Sequence, residues 1–289
     1  MRLWQKMAAC GGRSEKNKAD EVVLKEVLRD AFLIRAVVFW FGFAVFFSLE
    51  HLMPYRPNTV SKLQRVAINL AIALLNGIIA IFLFNTAMVK TAFYVSDEHS
   101  GLLNMFPLPY WGRLFATIVV MDFILYIWHL LNHEMPLLWR FHQVHHSDLN
   151  MDVSTASRFH AGEIIMSSAV RIALIYFLGA ELTGVIVFES LLVFSAQFQH
   201  SSLKVPAGFG RIYWLVFVPP AMHRIHHSVV IRERNTNYGT IFSLWDRMFG
   251  TLLKEVDQEK IVIGLGAYRD PKALHISRLL LMPLGRPAR

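Results

Sequence analysis

The sequence predicts an all-α integral membrane helical bundle with a cytoplasmic, histidine-rich di-metal cap. Three observations lead there. Of the 289 residues, 54% are hydrophobic and 17% charged, with a mean hydropathy of +0.39, which is more apolar than ordinary soluble composition. Long apolar runs recur along the chain. Eight of the 13 histidines crowd into three windows, His129-Leu-Leu-Asn-His133, His142-Gln-Val-His145-His146 and His223-Arg-Ile-His226-His227.

In chain order, residues 21–35 have the pattern of an amphipathic helix, and 36–49 form a rich apolar run. That run is short for a span, which takes about 20 residues. Residues 66–88 make a clear span that tolerates Asn69, Asn76 and Asn85. The stretch 90–113 mixes aromatic residues with Pro107 and Pro109 and suits the membrane interface. A third span, 114–131, runs directly into the first histidine window. Residues 164–178 and 185–198 form a helical hairpin around Gly179-Ala-Glu-Leu-Thr-Gly184, and 212–222 is a short apolar approach to the last window. After Thr251 the tail is polar and expected to be soluble. No internal repeat, low-complexity tract or linker marks a second domain.

Lys and Arg number 29 against 21 Asp and Glu. The excess lies mainly in residues 1–35 and in the tail after Lys254, flanking the apolar core without an aromatic-studded basic stripe, so nucleic acid is not an expected partner. A positive-inside distribution accounts for it and places both basic ends on the cytoplasmic side. That placement requires the short 36–49 run not to cross fully. The single cysteine, Cys10, excludes an internal disulfide framework and a cysteine-based zinc site. Residues 1–30 are too charged for a cleavable signal.

Residues at i, i+3 and i+4 of a helix share a face. His129 and His133 are an i, i+4 pair, and each of the other windows holds an i, i+3, i+4 triplet followed by serine, Ser147 or Ser228. Each window can therefore aim its imidazoles at one point. Crowded imidazoles repel when charged and leave donors unpaired when merely buried, whereas neutral imidazole is the commonest metal ligand. Eight or more such ligands suit two metal ions a few ångströms apart. Lone histidines such as His51, His99 and His275 read as ordinary side chains. His200 ends a helix where it can join the ligand face. His160, in Arg158-Phe-His160-Ala-Gly-Glu163, is open to three readings: a ligand, a proton carrier, or a hydrogen-bonding partner of a ligand. No Glu is followed by His three positions later, so the Glu-x-x-His ligation of soluble di-iron bundles is missing and imidazole must dominate.

Asp122, Tyr126, His129 and His133 form one stripe of the third span, where an Asp and a Tyr can accept the far N–H of an imidazole and fix its tautomer. An acid inside a membrane is costly without a partner. Glu189 is a weaker candidate of the same kind. Asn237 and Asp246 suit hydrogen bonding to the last window, and Trp245 suits the membrane interface or a lid.

The order HxxxH, HxxHH, HxxHH is shared by several membrane oxygenases, and the surrounding residues narrow the comparison. Thr155-Ala-Ser-Arg158-Phe-His160-Ala-Gly-Glu163 follows the second window. Pro220-Ala-Met-His223 opens the third, which leads to Asn237-Tyr238-Gly239 and Trp245-Asp246-Arg247-Met-Phe-Gly-Thr251. Residues 114–251 resemble the fatty acid hydroxylase superfamily in its sterol desaturase branch, a group of membrane non-haem di-iron oxygenases. The resemblance implies a catalytic domain over 114–251, preceded by a basic segment (1–35) and membrane helices (36–113) and followed by the polar tail (252–289). It implies metal ligation by His129, His133, His142, His145, His146, His223, His226 and His227, with His200 added. The expected catalytic residues beside these ligands are His160, Glu163, Asp122, Tyr126, Asn237 and Asp246. The chain departs from some fatty acyl hydroxylases in having no second histidine just before His200.

The implied cofactors are two iron ions with O2 as co-substrate. Affinity ordering favours zinc over iron at many such sites, so purified protein can carry zinc. The implied activity is hydroxylation or desaturation of a membrane lipid (sterol-like, alkylglycerol or fatty acyl). No haem, flavin or nicotinamide motif is visible, so an external electron donor of cytochrome or ferredoxin type is expected. Two other classes compete: a membrane metal transporter or metal-binding protein, and a lipid-binding relative without catalysis. Histidines at helix ends with fixed spacing, and no missing ligand, favour the oxygenase.

Overall fold

The computed structural model describes residues 2–81 and 86–288, with side chains from residue 22 onward except residue 80. The apolar runs become helices: α1 (Arg2–Leu52), α2 (Lys62–Ala80), α3 (Thr86–Asp97), α4 (Tyr110–Glu134), α5 (Pro136–His146), α6 (Ala161–Leu178) and α7 (Leu182–His200). Five shorter ones follow: α8 (Ala207–Tyr213), α9 (Pro220–His226), α10 (Ile231–Arg234), α11 (Leu244–Phe249) and α12 (Ile276–Leu281). Among the described residues the only β-pairing is isolated bridges such as Ser228 with Ile263.

Among the described residues five helical segments are long and apolar enough to cross a membrane: Val22–Leu52, Lys62–Ile79, Tyr110–Glu134, Ala161–Leu178 and Leu182–His200. Trp40, Phe41, Leu74, Phe115 and Phe177 stand exposed on them, a surface suited to lipid rather than water. Inside, Met88 and Ala92 of α3, Met121 and Leu125 of α4, Ile175 of α6 and Phe188 of α7 close one apolar core. The α6–α7 hairpin turns at Gly179, which has a left-handed φ of 70°. A side chain there would collide with the Ser100 carbonyl, and Gly101 (φ 95°) is held against it in turn, so both positions need glycine.

Two expectations need correction. The 36–49 run is not a short separate piece. With no proline before Pro54 it continues the 21–35 helix, so the candidate span in α1 runs to 31 residues, Val22–Leu52. Of the expected 66–88 span, the structure describes α2 up to Ala80 and α3 from Thr86, and Asn85 lies outside the described residues. The tail after Thr251 is not merely a polar appendage. Its Leu274, Leu279 and Met282 pack on Ile72 of α2 and Val144 of α5. The Ala288 backbone is held from both sides by α5, accepting from Trp139 Nε1 (2.6 Å) and donating to Gln143 Oε1 (2.9 Å).

Candidate metal centre

The chain bends sharply between α4 and α5, where Pro136 occupies the first turn of α5, a position that has no backbone N–H to lose. The bend turns His142, His145 and His146 back towards His129 and His133. The ends of α7 and α9 reach the same place, and nine buried imidazoles assemble there in two groups. His129, His133, His142, His146 and His226 make the first, and His145, His200, His223 and His227 the second, with the ligand atoms of each group within 4.8 Å of one another. The groups abut: the His146 and His227 rings stack at 4.4 Å, and those of His223 and His226 at 5.1 Å.

The triplets do not aim at one point, as their spacing alone suggests. At about 100° per residue, positions i and i+4 diverge by about 40°, while i+3 falls about 60° to the other side. His142 and His146 therefore share the first group and His145 joins the second. His223 and His227 share the second and His226 crosses to the first. One spacing thus serves two adjacent centres from a single helix.

Four rings are fixed by acceptors at Nδ1. His129 donates to the Tyr238 carbonyl (2.8 Å), His142 to Glu163 Oε1 (2.8 Å), His226 to the Thr236 carbonyl (2.8 Å) and His200 to the Ala196 carbonyl (2.6 Å). Each leaves Nε2 as a lone pair facing its group. Other rings are held by packing: His145 stacks on Phe159 at 4.4 Å, and His133 lies 5.1 Å from Trp139. Burial first, and then the neighbouring imidazoles, push His145, His146, His223, His226 and His227 well below the ordinary histidine range. These rings are neutral at pH 7.

Neutral rings aimed at each other are a poor arrangement by themselves. Nε2 of His129 and of His226, and both nitrogens of His133, are buried without a partner. In the second group the Nε2 atoms lie 3.0 Å (His145–His200), 2.9 Å (His200–His223) and 3.2 Å (His223–His227) apart. Nitrogens bound to one cation at about 2.0–2.1 Å sit about 3.0–3.4 Å from each other. The donor set and its spacing fit a metal ion in each group.

The other residues singled out in the sequence fall elsewhere. Glu163 meets His142, but His160 lies in neither group. His160 caps α6, its Nδ1 accepting from Gly162 N and its Nε2 donating to the Leu280 carbonyl. Asp122 and Tyr126 do not touch an imidazole. Asp122 gathers Thr240 Oγ1, the Ile241 and Phe242 amides and Trp245 Nε1, and Tyr126 bonds Thr251. Trp245 is thereby buried in the core and is no lid. Asn237 bonds backbone carbonyls of Met222 and Leu253, while Asp246 accepts from the Tyr238 and Gly239 amides. Both shape the loop whose Thr236 and Tyr238 carbonyls orient His226 and His129. Glu189 pairs with Arg171 and Arg35.

Residues 114–251 match the family model for fatty acid hydroxylases, the stretch that carries all nine imidazoles. The chain belongs to the fatty acid hydroxylase superfamily. It is 30% identical to an ornithine lipid hydroxylase of Rhizobium tropici over 74% of its own length and 66% of that protein's. It is 30% identical to human alkylglycerol monooxygenase (63% of this chain, 39% of that one) and 27% to rat cholesterol 25-hydroxylase (53% and 51%). The chain thus spans about two thirds or less of the relatives it matches. No solved structure matches it.

In this superfamily member the α5 histidines rest on a buried polar network. Arg158 donates to the Val144 carbonyl, Ser147 and Asn69, while Asp148 accepts from Arg65, Asn69 and Thr155. Arg65 and Arg158 hold the Asp148 carboxyl below its usual range although burial works against them. The backbone carbonyls that orient His129, His226 and His200 have no side-chain signature, so sequence reasoning could not find them.

Proposed function

We propose that the chain is a membrane-bound oxygenase of the sterol desaturase branch that uses O2 at a two-iron centre to hydroxylate or desaturate a lipid. One observation carries the reading: nine buried imidazoles in two abutting groups. The relatives named above, which are lipid hydroxylases and monooxygenases, support it. The proposed ligands are His129, His133, His142, His146 and His226 for one ion and His145, His200, His223 and His227 for the other.

Iron held there supplies the oxidising power that an unactivated C–H bond requires, given O2 and two electrons from a cytochrome- or ferredoxin-type donor. The protein's part is positional. Glu163 and the Tyr238, Thr236 and Ala196 carbonyls keep the proton of each ring on Nδ1, so Nε2 stays free to bind. Burial excludes water from the rings. Asp122 and Asp246 hold the 237–246 loop against α4, fixing the carbonyls that orient His129 and His226. The basic residues after Lys254, which like the centre follow the last candidate span, support a cytoplasmic face for the centre under the positive-inside rule.

The test combines metal analysis with oxygen uptake on purified protein supplied with reductant and lipid extract. Lipid mass spectrometry of cells with and without intact His145 and His146 accompanies it. The reading expects iron, oxygen consumption and a lipid shifted by one oxygen or two hydrogens. Metal transport without oxygen use would overturn it.

A further inference from the structure

Among the described residues four arginines are deeply buried, and three have partners. Arg65 pairs with Asp148 and Asp152, Arg158 donates to Val144, Asn69 and Ser147, and Arg224 donates to Gln258. Arg234 is 4% exposed and has no carboxylate and no hydrogen-bond acceptor among the described residues. A buried charge without a counter-charge is costly. Its one favourable contact is the face of Trp139, 4.7 Å from Cζ to the ring centroid. Stacking occupies the flat face of a guanidinium and leaves the N–H bonds along its edge available. Its Nε is buried without a partner, and neither terminal nitrogen bonds an acceptor among the described residues.

A second open donor stands nearby. The Tyr238 side chain is 2% exposed, and its hydroxyl has no partner among the described residues. His133 sits between them, its ring 5.1 Å from Trp139 and 5.2 Å from Tyr238. Exposed Val230 and Ile231 precede Arg234, and exposed Met135 and Leu137 flank the start of α5. Two unpartnered donors beside an apolar rim match an amphiphile with an acidic head.

We propose that Arg234 and the Tyr238 hydroxyl form an anion subsite at the edge of the first histidine group, which holds the carboxylate or phosphate headgroup of a membrane lipid. The inference rests on the lipid reading above and narrows the substrate to acidic lipids. The acidic head would lie near His133, and the acyl or alkyl chain would run along the apolar rim.

Binding tests this without turnover. Dodecanoate and dodecanol are titrated into the full chain in maltoside micelles, for wild type, Arg234→Gln and Tyr238→Phe, with metal content measured in parallel. Hydrogen bonds to a charged group favour dodecanoate by about tenfold or more in wild type. Arg234→Gln should abolish that preference with dodecanol binding and metal content unchanged, and Tyr238→Phe should reduce it several-fold. A preference retained in both variants overturns the proposal, as does equal binding of the two probes to wild type. Displacement of dodecanoate by equimolar acetate or inorganic phosphate would show a site for free anions and overturn the lipid headgroup. Metal loss in Arg234→Gln with the preference intact in Tyr238→Phe would mean that Arg234 only supports Trp139, which also overturns it. None of these results bears on oxygen uptake, so failure here leaves the oxygenase reading to its own test.

Discussion

Glu163 accepts the Nδ1 proton of His142 at 2.8 Å across the gap between α6 and α5, and both side chains are buried. The carboxylate fixes the ring's tautomer and raises its basicity towards a cation. Glu163→Gln keeps an acceptor but removes the charge, and Glu163→Ala removes both. We expect metal affinity to fall by about 10-fold to 100-fold, more for alanine than for glutamine. Competition with a calibrated chelator measures this, and unchanged affinity in the alanine variant would refute the role.

Asp122 calls for a different outcome. Its two oxygens serve four donors of the 240–245 segment: Thr240, Ile241, Phe242 and Trp245. Asparagine offers one oxygen and turns an NH2 towards two of those donors. With each buried unpaired donor costing about 1–3 kcal/mol, Asp122→Asn should destabilise by about 3 kcal/mol while still binding metal at low temperature. Thermal unfolding in detergent, read beside metal content, separates the two effects. Metal loss without destabilisation would restore the direct contact to an imidazole that the sequence suggested.

How much was legible follows from these residues. Side-chain chemistry at helical spacing is written in the sequence, so the nine imidazoles and the helices that carry them could be read directly. Partners could not. Asp122 lies on the His129 face, yet its acceptors are filled by a segment more than a hundred positions away. His129 is oriented instead by a Tyr238 carbonyl, which any residue supplies. By type His160 could be a ligand, a proton carrier or a ligand's partner, but its two nitrogens are consumed by the α6 cap and Leu280. The long α1 was missed because polarity changes midway along it, and hydropathy marks burial in lipid rather than helix continuity.

Protons should compete with folding. His145, His146, His223, His226 and His227 are held well below the ordinary range by burial and by one another, while unfolded histidine titrates near about 6.5. Below that pH the unfolded chain binds more protons than the folded one. Stability is therefore fully present above about pH 6.5 and lost as the pH falls, by up to about 1.4 kcal/mol per pH unit for each histidine. Melting temperatures of metal-free protein between pH 8 and pH 5 should drop steeply across the lower half. A flat profile would show that the folded rings take up protons as readily as unfolded ones.

The split of each triplet gives the sharpest distinction. His142 and His146 face the first group and His145 the second, although all three lie on one turn of α5. His133→Ala and His146→Ala should each weaken one metal site and leave the other filled. Combining them should cost little beyond the worse single change, because both empty the same site. His145→Ala should weaken the other site, and adding it to His146→Ala should empty both. Metal stoichiometry of the purified variants reads this directly, with about one ion remaining in the first pair and none in the second. If His145→Ala and His146→Ala lose the same ion, the triplet aims at a single point and the two-group arrangement is wrong.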